Sequence, residues 1–289
     1  MANLIIYSLP EHLRLEVQAV HLSAMMNDKV LHAPIKDHGG LRTLDIGCGT
    51  GIVTEMMSEA WPHAECIGLD LSKVPELRPH SNNIRYFQGN ATTQKPTDWV
   101  PNDGRAKLPE DRETFDYVFS RLLILGMAHW PKYIKTEFNL LRPGGWVEVH
   151  DLDWDWFDRN DNIISKNWDW LSRLEEKLEG EKDLDFHCGS RAQKWMKDAG
   201  FTNIQVFEYY WPFGGESEPT IEGREFGLYT TVAFPSMMHH MIQRSMADEP
   251  PSEEQQQLVE RMRAEMRWNV LPEKGKHQIF RVTIGQKPE

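Results

Sequence analysis

Cysteine is scarce in this chain, with three among 289 residues, at Cys48, Cys66 and Cys188. Spacing that wide makes neither a disulfide framework nor a zinc site, so a reducing, cytoplasmic compartment is expected. Long apolar runs are missing too. No stretch approaches the roughly 18 consecutive apolar residues of a membrane span, and the opening MANLIIYSLPEH lacks the basic start and apolar core of a signal peptide. Positive charge is in deficit, because 32 Lys and Arg stand against 44 Asp and Glu, a formal net charge of −12. Such a chain is a poor partner for nucleic acid, whose phosphates demand a basic face. The sequence carries no internal repeat and no low-complexity tract. What remains is an ordinary globular composition. Hydrophobic residues make up 40 %, and 11 Trp, 12 Phe and 13 Met supply enough large side chains for a core without covalent staples.

The hydrophobic pattern alternates between helical and strand periods. From Glu11 to Asn27, apolar Leu15, Ala19, Leu22 and Met26 recur three and four apart, which predicts an amphipathic helix entered at Pro10 after an extended YSLPEH. HAPIKDHGG (32–40) reads as a loop. LRTLDI (41–46) reads as a strand, GCGTG (47–51) as a turn, IVTEMMSEA (52–60) as a helix and AECIGLD (64–70) as a second strand. Strand, glycine turn, helix, strand opens a doubly wound parallel sheet. Further strands at 83–90, 115–121, 145–154, 201–211 and 277–287 predict an α/β, Rossmann-like fold with a seven-stranded, mostly parallel sheet. RPGG (142–145) is expected to turn ahead of the fifth strand. Helices are expected over 131–140, 161–180, 224–247 and 252–270, with another from Ser190, where Ser-Arg-Ala-Gln matches a capping box, to just before Gly200. The expected organisation is an N-terminal helical lid segment, 1–40, and one domain, 41–289. That domain carries a helical insertion at 212–276 and a polar loop at 97–113.

The glycine turn carries the chemistry. Gly47, Gly49 and Gly51 lie between a strand and a helix, where glycine permits positive φ and removes the Cβ that would keep a ligand from the backbone. Asp70 ends the next strand, 19 residues after Gly51, near the spacing at which an acid meets ribose hydroxyls. The glycines read G-x-G-x-G rather than the dinucleotide G-x-G-x-x-G, and no G-x-x-x-x-G-K-[ST] is present. Asp45, just ahead of the turn, suits an ammonium, which a methylsulfonium cofactor carries and a nucleoside phosphate does not.

LDIGCGTG (44–51) resembles motif I of the class I S-adenosylmethionine (SAM) methyltransferases, and GLD (68–70) resembles their second motif. YSLPEHLRLEVQAVH (7–21), LHAPI (31–35), FSRLLILGMAHWPK (119–132) and LRPGGWVEVHDLD (141–153) together resemble the LaeA-like methyltransferases of filamentous fungi. The resemblance implies a SAM-binding sheet with Gly47, Gly49 and Gly51 around the methionine part and Asp70 on the ribose. Asn90 would meet the adenine edge, and Ser120 and Arg121 the methionine tail or the substrate mouth. Asp45, Cys48, Leu71 and Ala91 complete the cofactor-binding set. Relatives usually carry His after Gln in the first helix, where this chain has Ala19 after Gln18, and many carry Asp at the position of Asn90.

The activity so implied is methyl transfer from SAM to an oxygen or nitrogen of a small molecule, a fungal secondary metabolite, leaving S-adenosylhomocysteine (SAH). A regulatory SAM-binding protein acting through protein partners and a SAM-bound pericyclase are the alternatives. No nucleic-acid or membrane partner is expected, and monomer and homodimer stay open.

Several residues carry two readings. His150 and Asp151, with Asp153, follow the fifth strand at the sheet edge that binds ligands, as a general base or as a solvated strand end. His129, ahead of Trp130 and Pro131, caps or packs a helix, or takes part in catalysis. His239 and His240 among Met237, Met238 and Met241 read as a packed helix rather than a metal site, and no metal is expected. Tyr209, Tyr210, Trp211 and Phe213 form an aromatic corner or line an apolar pocket. Residues 212–247, offering Phe226, Tyr229, Phe234, Met237, Met238 and Met241, are expected to cover the active site together with helix 11–27.

Overall fold

The computed structural model describes residues 9–109, 114–215, 218–248 and 250–289. Alternation of short apolar runs with amphipathic ones gives strands β1 (Arg42–Ile46), β2 (Glu65–Asp70), β3 (Ile84–Gln88), β4 (Val100–Pro101), β5 (Phe115–Arg121), β6 (Leu141–Leu152), β7 (Thr202–Pro212) and β8 (His277–Gln286). The helices are α1 (Leu9–Met25), α2 (Ile52–Ala60), α3 (Trp130–Leu140), α4 (Asp169–Lys182), α5 (Cys188–Ala199), α6 (Ile221–Met246) and α7 (Glu253–Asn269). One sheet orders the strands β4-β3-β2-β1-β5-β6-β8-β7. The pairs among β3, β2, β1, β5 and β6 are parallel. The strand order reverses between β1 and β5, so their carboxyl ends frame the crevice where open α/β sheets hold ligands.

The central strands are buried on both faces, as parallel strands under helices must be. Leu44, Ile67, Val118, Phe119 and Val147 are all without solvent exposure. The α/β, mostly parallel architecture read from the sequence is the architecture found. Its sheet has eight strands, because two residues of the polar loop, Val100 and Pro101, pair antiparallel with Gln88 and Phe87. Residues 110–113 of that loop, and the extended start before residue 9, lie outside the described residues.

Three local expectations are corrected. The RPGG stretch belongs to β6, since Leu141 already pairs with Phe115 and a register shift absorbs Gly144 at φ +79°. The helix expected from 161 starts as α4 at Asp169, because Phe157 bridges Ile163 and Ile164 N–H donates to the Trp156 carbonyl at 2.8 Å. Ser190 caps nothing. It lies inside α5, its Oγ donating to the His187 carbonyl at 3.2 Å and its N–H to Asp153 Oδ1 at 2.9 Å. Gly200 does close α5 at φ +104°. Among the described residues, no helix is long and apolar enough to cross a membrane.

Candidate active site

The turn after β1 is built on three positive-φ glycines, Gly47 at +71°, Gly49 at +57° and Gly51 at +82°. Gly47 N–H and Cys48 N–H both donate to the Leu69 carbonyl, at 2.8 and 3.1 Å, which ties the turn to the end of β2. The three glycines answer to different neighbours. A Cβ on Gly47 would stand 2.5 Å from Leu123 Cδ2, and one on Gly51 would strike the Tyr86 hydroxyl. A Cβ on Gly49 would meet nothing closer than Leu15 Cδ1 at 3.7 Å, so that glycine borders open space kept clear by the backbone itself.

Two carboxylates flank this space. Asp70 Oδ2 accepts from Gly49 N–H and Oδ1 from Ser72 N–H, both at 2.9 Å, leaving each oxygen a second lone pair. Burial pushes its carboxyl up, against the pull of those backbone donors. Asp45 is 2 % exposed and accepts from Thr54 Oγ1 at 2.7 Å. Burial raises it to about 6, opposed by the Thr54 hydrogen bond and by the guanidinium of Arg121. Burial in turn lowers Arg121 to about 10, and its Nη1 is buried with no hydrogen-bond partner. A cradle without Cβ atoms, two carboxylates and an orphaned guanidinium nitrogen suit one ligand with ribose hydroxyls, an ammonium and a carboxylate. The residues present therefore fit SAM.

Asp45, Gly47, Cys48, Gly49, Asp70, Leu71, Asn90, Ala91 and Arg121 all line one cavity of about 630 Å³. Gly51 sits behind them as the N-cap of α2. Cys48 is a wall and not a nucleophile, since burial pushes its thiol well up. Asn90 spends its Oδ1 on its own turn, accepting from Thr92 N–H at 2.9 Å, Thr92 Oγ1 at 2.8 Å and Thr93 N–H at 3.2 Å, so only its amide nitrogen remains for a ligand. Leu71, 48 % exposed, marks the mouth.

Three expected residues lie elsewhere. Ser120 alternates to the opposite face of β5, buried beside Tyr133 and Glu137 of α3, and does not line the cavity. His150 is fully buried on β6, with Nε2 2.6 Å from Glu148 Oε1, and burial lowers it to about 4. Sealed from the cavity, it has no route to a substrate proton. Asp151 is buried on the other face and also stands outside the cavity. Its Oδ2 accepts from Leu123 N–H at 2.8 Å and Ile124 N–H at 3.1 Å, so it shapes the loop Leu122–His129, every residue of which lines the cavity. The position of these two residues after a ligand-binding strand suggested a base; β-strand alternation and burial make them supports.

Sequence reasoning missed the group that His150 serves. Glu148 accepts from His32 N–H at 2.9 Å, Ala33 N–H at 2.8 Å, Tyr117 Oη at 2.9 Å and His150 Nε2 at 2.6 Å. His32 closes the network with Nδ1 3.2 Å from Glu148 Oε1 and Nε2 2.6 Å from the Tyr209 hydroxyl. Ligand-type atoms of His32, Glu148 and His150 lie within 4.8 Å of one another, but the carboxylate is spent on protein donors and the cluster works as a lock between the 32–33 loop and the sheet. Only the 148–150 spacing on one strand face hinted at it.

Beyond the glycine turn the cavity turns apolar, walled by Leu125, Met127, Leu152, Trp154, Trp211 and Phe234. Arg14, Leu15 and Gln18 of α1 and Tyr229, Phe234 and Met237 of α6 form its cover. Met238 and Met241 point instead into the core, at 0 % and 7 % exposure. Of the aromatic corner, Trp211 alone reaches the cavity.

A Rossmann-like sheet with this glycine cradle and acid pair has the architecture of the class I SAM methyltransferases. Residues 19–206 match the family described as "Methyltransferase domain", and the chain belongs to it, as a class I SAM methyltransferase of the LaeA-like family. It is 29 % identical over 197 residues to methyltransferase pytC of Aspergillus terreus, covering 66 % of this chain and 54 % of the relative. It is 26 % identical over 184 residues to the protein-methionine methyltransferase laeA of Emericella nidulans, covering 63 % and 45 %. The chain thus spans about half the length of the curated relatives it matches. Among solved structures, a putative sarcosine dimethylglycine methyltransferase from Galdieria sulphuraria aligns over 95 % of this chain and 86 % of that one, with TM-score 0.49 and 16 % identity.

Proposed function

We propose that the chain transfers the SAM methyl group to an oxygen or nitrogen of a small, largely apolar acceptor, a fungal secondary metabolite. The observation that carries this reading is the change of character along one cavity, from the acids and backbone donors of the cofactor end to a wall of Leu, Met, Trp and Phe. Bound SAM supplies an electrophilic methyl carbon on a sulfonium. The chain's own part is to hold Asp45 and Asp70 toward it, to orient the acceptor against the apolar wall and to keep water out beneath α1 and α6. A cytoplasmic location belongs to the same proposal and rests on three free, buried cysteines.

The test is release of SAH from SAM across a panel of hydroxylated and amino aromatic acceptors. Turnover with at least one apolar acceptor supports the reading. SAM binding without turnover favours a regulatory role, as in the relatives named secondary metabolism regulators. Consumption of an acceptor with SAM intact would mark a pericyclase.

A further inference from the structure

A cavity-lining histidine pairs with an aspartate just outside the cavity wall. His129 lines the cavity where the Leu122–His129 loop enters α3. Its Nδ1 pairs with Asp183 Oδ2, and its N–H donates to the Asp183 carbonyl at 3.2 Å. Both residues sit in the left-handed region, His129 at φ +55° and Asp183 at φ +53°, a conformation that branched or bulky side chains avoid. The His129 side chain makes no helix-capping bond; its carbonyl alone accepts from Lys132 and Tyr133 N–H, at 2.9 and 3.1 Å. Capping therefore involves the backbone alone, and the imidazole is held instead by Asp183.

We propose that His129 is the proton acceptor for the substrate's hydroxyl or amine, with Asp183 as the positioning residue that fixes its tautomer. The inference rests on the methyl-transfer reading above. Among the described residues lining the cavity, His129 is the single imidazole. The other candidate acceptors have different roles: Asp45 and Asp70 belong to the cofactor end, Glu11 pairs with Arg14, and the Tyr229 hydroxyl donates to the Arg14 carbonyl. With Nδ1–H held by Asp183, Nε2 is the lone-pair nitrogen, the arrangement by which a carboxylate orients a general base. The acceptor's oxygen or nitrogen forms the new bond to the methyl carbon while the carbon–sulfur bond breaks, its electron pair staying on sulfur. The acceptor's proton passes to Nε2. A side chain 60 % exposed can then release that proton to water. Lys132 and Lys182 line the same rim and add positive charge around the imidazole.

The test uses the full chain as His129→Gln, Asp183→Asn and Asp183→Glu. Imidazole ¹⁵N spectra without cofactor, assigned by the signal lost in His129→Gln, should show the Nδ1–H tautomer in the native protein, a mixture in Asp183→Asn and restoration in Asp183→Glu. Kinetically, His129→Gln should lower kcat by about 10²–10⁴-fold, with SAM affinity unchanged and activity recovering at high pH. An Nε2–H tautomer in the native protein, or kcat within threefold in His129→Gln, overturns the assignment. If the native protein binds SAM yet methylates no acceptor, the methyl-transfer reading falls and the base with it. Native turnover that survives in His129→Gln removes the base alone.

Discussion

The phenolic hydroxyl of Tyr229 on α6 donates a 3.1 Å hydrogen bond to the main-chain carbonyl of Arg14 on α1. His21 of α1 stacks on Phe226 of α6 with centroids 5.4 Å apart and planes 8° from parallel. The two covering segments are therefore fastened to each other over the cavity. Tyr229→Phe, which removes one hydrogen bond, should cost about 1 kcal/mol and raise the acceptor KM while SAM affinity holds. Met237→Ala, in the cavity wall, should shift that KM too. Met238→Ala, buried with no exposure, should instead cost about 2–5 kcal/mol of stability at unchanged KM. Steady-state kinetics beside urea titrations separate the two methionines.

Gly49 and Gly51 should fail in different ways. Gly49→Ala meets no protein atom under 3.7 Å, so its cost to the fold is backbone strain of about 1 kcal/mol. Its Cβ enters the ligand space, and SAM affinity should fall at least tenfold. Gly51→Ala collides with Tyr86 and should lower the melting temperature more than Gly49→Ala does, with partial relief in the double variant with Tyr86→Phe. Thermal melts with and without SAM read both effects.

Glu148 should matter for stability more than for chemistry. Burial alone would raise its carboxyl, but the donors from His150, His32 and Ala33 outweigh that and hold it at about 2, below the ordinary 4.5. A depressed acid gives stability that is fully present above about 4.5 and lost as pH falls toward 2. Glu148→Gln turns a donor toward N–H groups, and breaking a buried charged network of this kind costs about 3–5 kcal/mol. The stability gap from the native protein should hold from about pH 6 to 8, where the native carboxylate stays ionised, and narrow in acid below about 4.5. Denaturant titrations at stepped pH check it.

Glu137 carries the opposite sign. Its carboxyl is fully buried on α3, and neither oxygen completes a hydrogen bond, although the Tyr133 and Ser120 hydroxyls stand close. Burial raises it to about 8 from the ordinary 4.5, so the native protein loses stability as pH climbs between those values. Glu137→Gln, neutral at every pH, should stabilise the fold by on the order of 2 kcal/mol near pH 8 and by little near pH 5. Equal gains at both ends would contradict the assignment.

The cofactor end was legible in the sequence because its requirements are local. Positive φ at alternating positions demands glycine, and an acid at the tip of the next strand lies a fixed distance away. Strand periods at 42–46, 65–70 and 115–121 were equally plain, since buried parallel strands read as short apolar runs. The proton-handling residues were not legible in the same way. Whether a residue after β6 faces the cavity depends on strand alternation and on what covers each face, so His150 turned into the core and Asp151 toward the loop it supports. His129 and Asp183 meet only because α4 ends beside the start of α3, a tertiary contact that no spacing announces.

In the proposed function the glycine turn and Asp70 hold the nucleoside of SAM. Calorimetric titration of SAH into the native chain and into Asp70→Ala tests this, with a melting curve of each because Asp70 also accepts two backbone bonds at the turn. Saturable binding to the native chain is expected, with a loss of about 1.5–3 kcal/mol in Asp70→Ala, the variant's folded state being confirmed by its melting curve. Equal affinity in the two proteins, or no binding to the native chain, would contradict it.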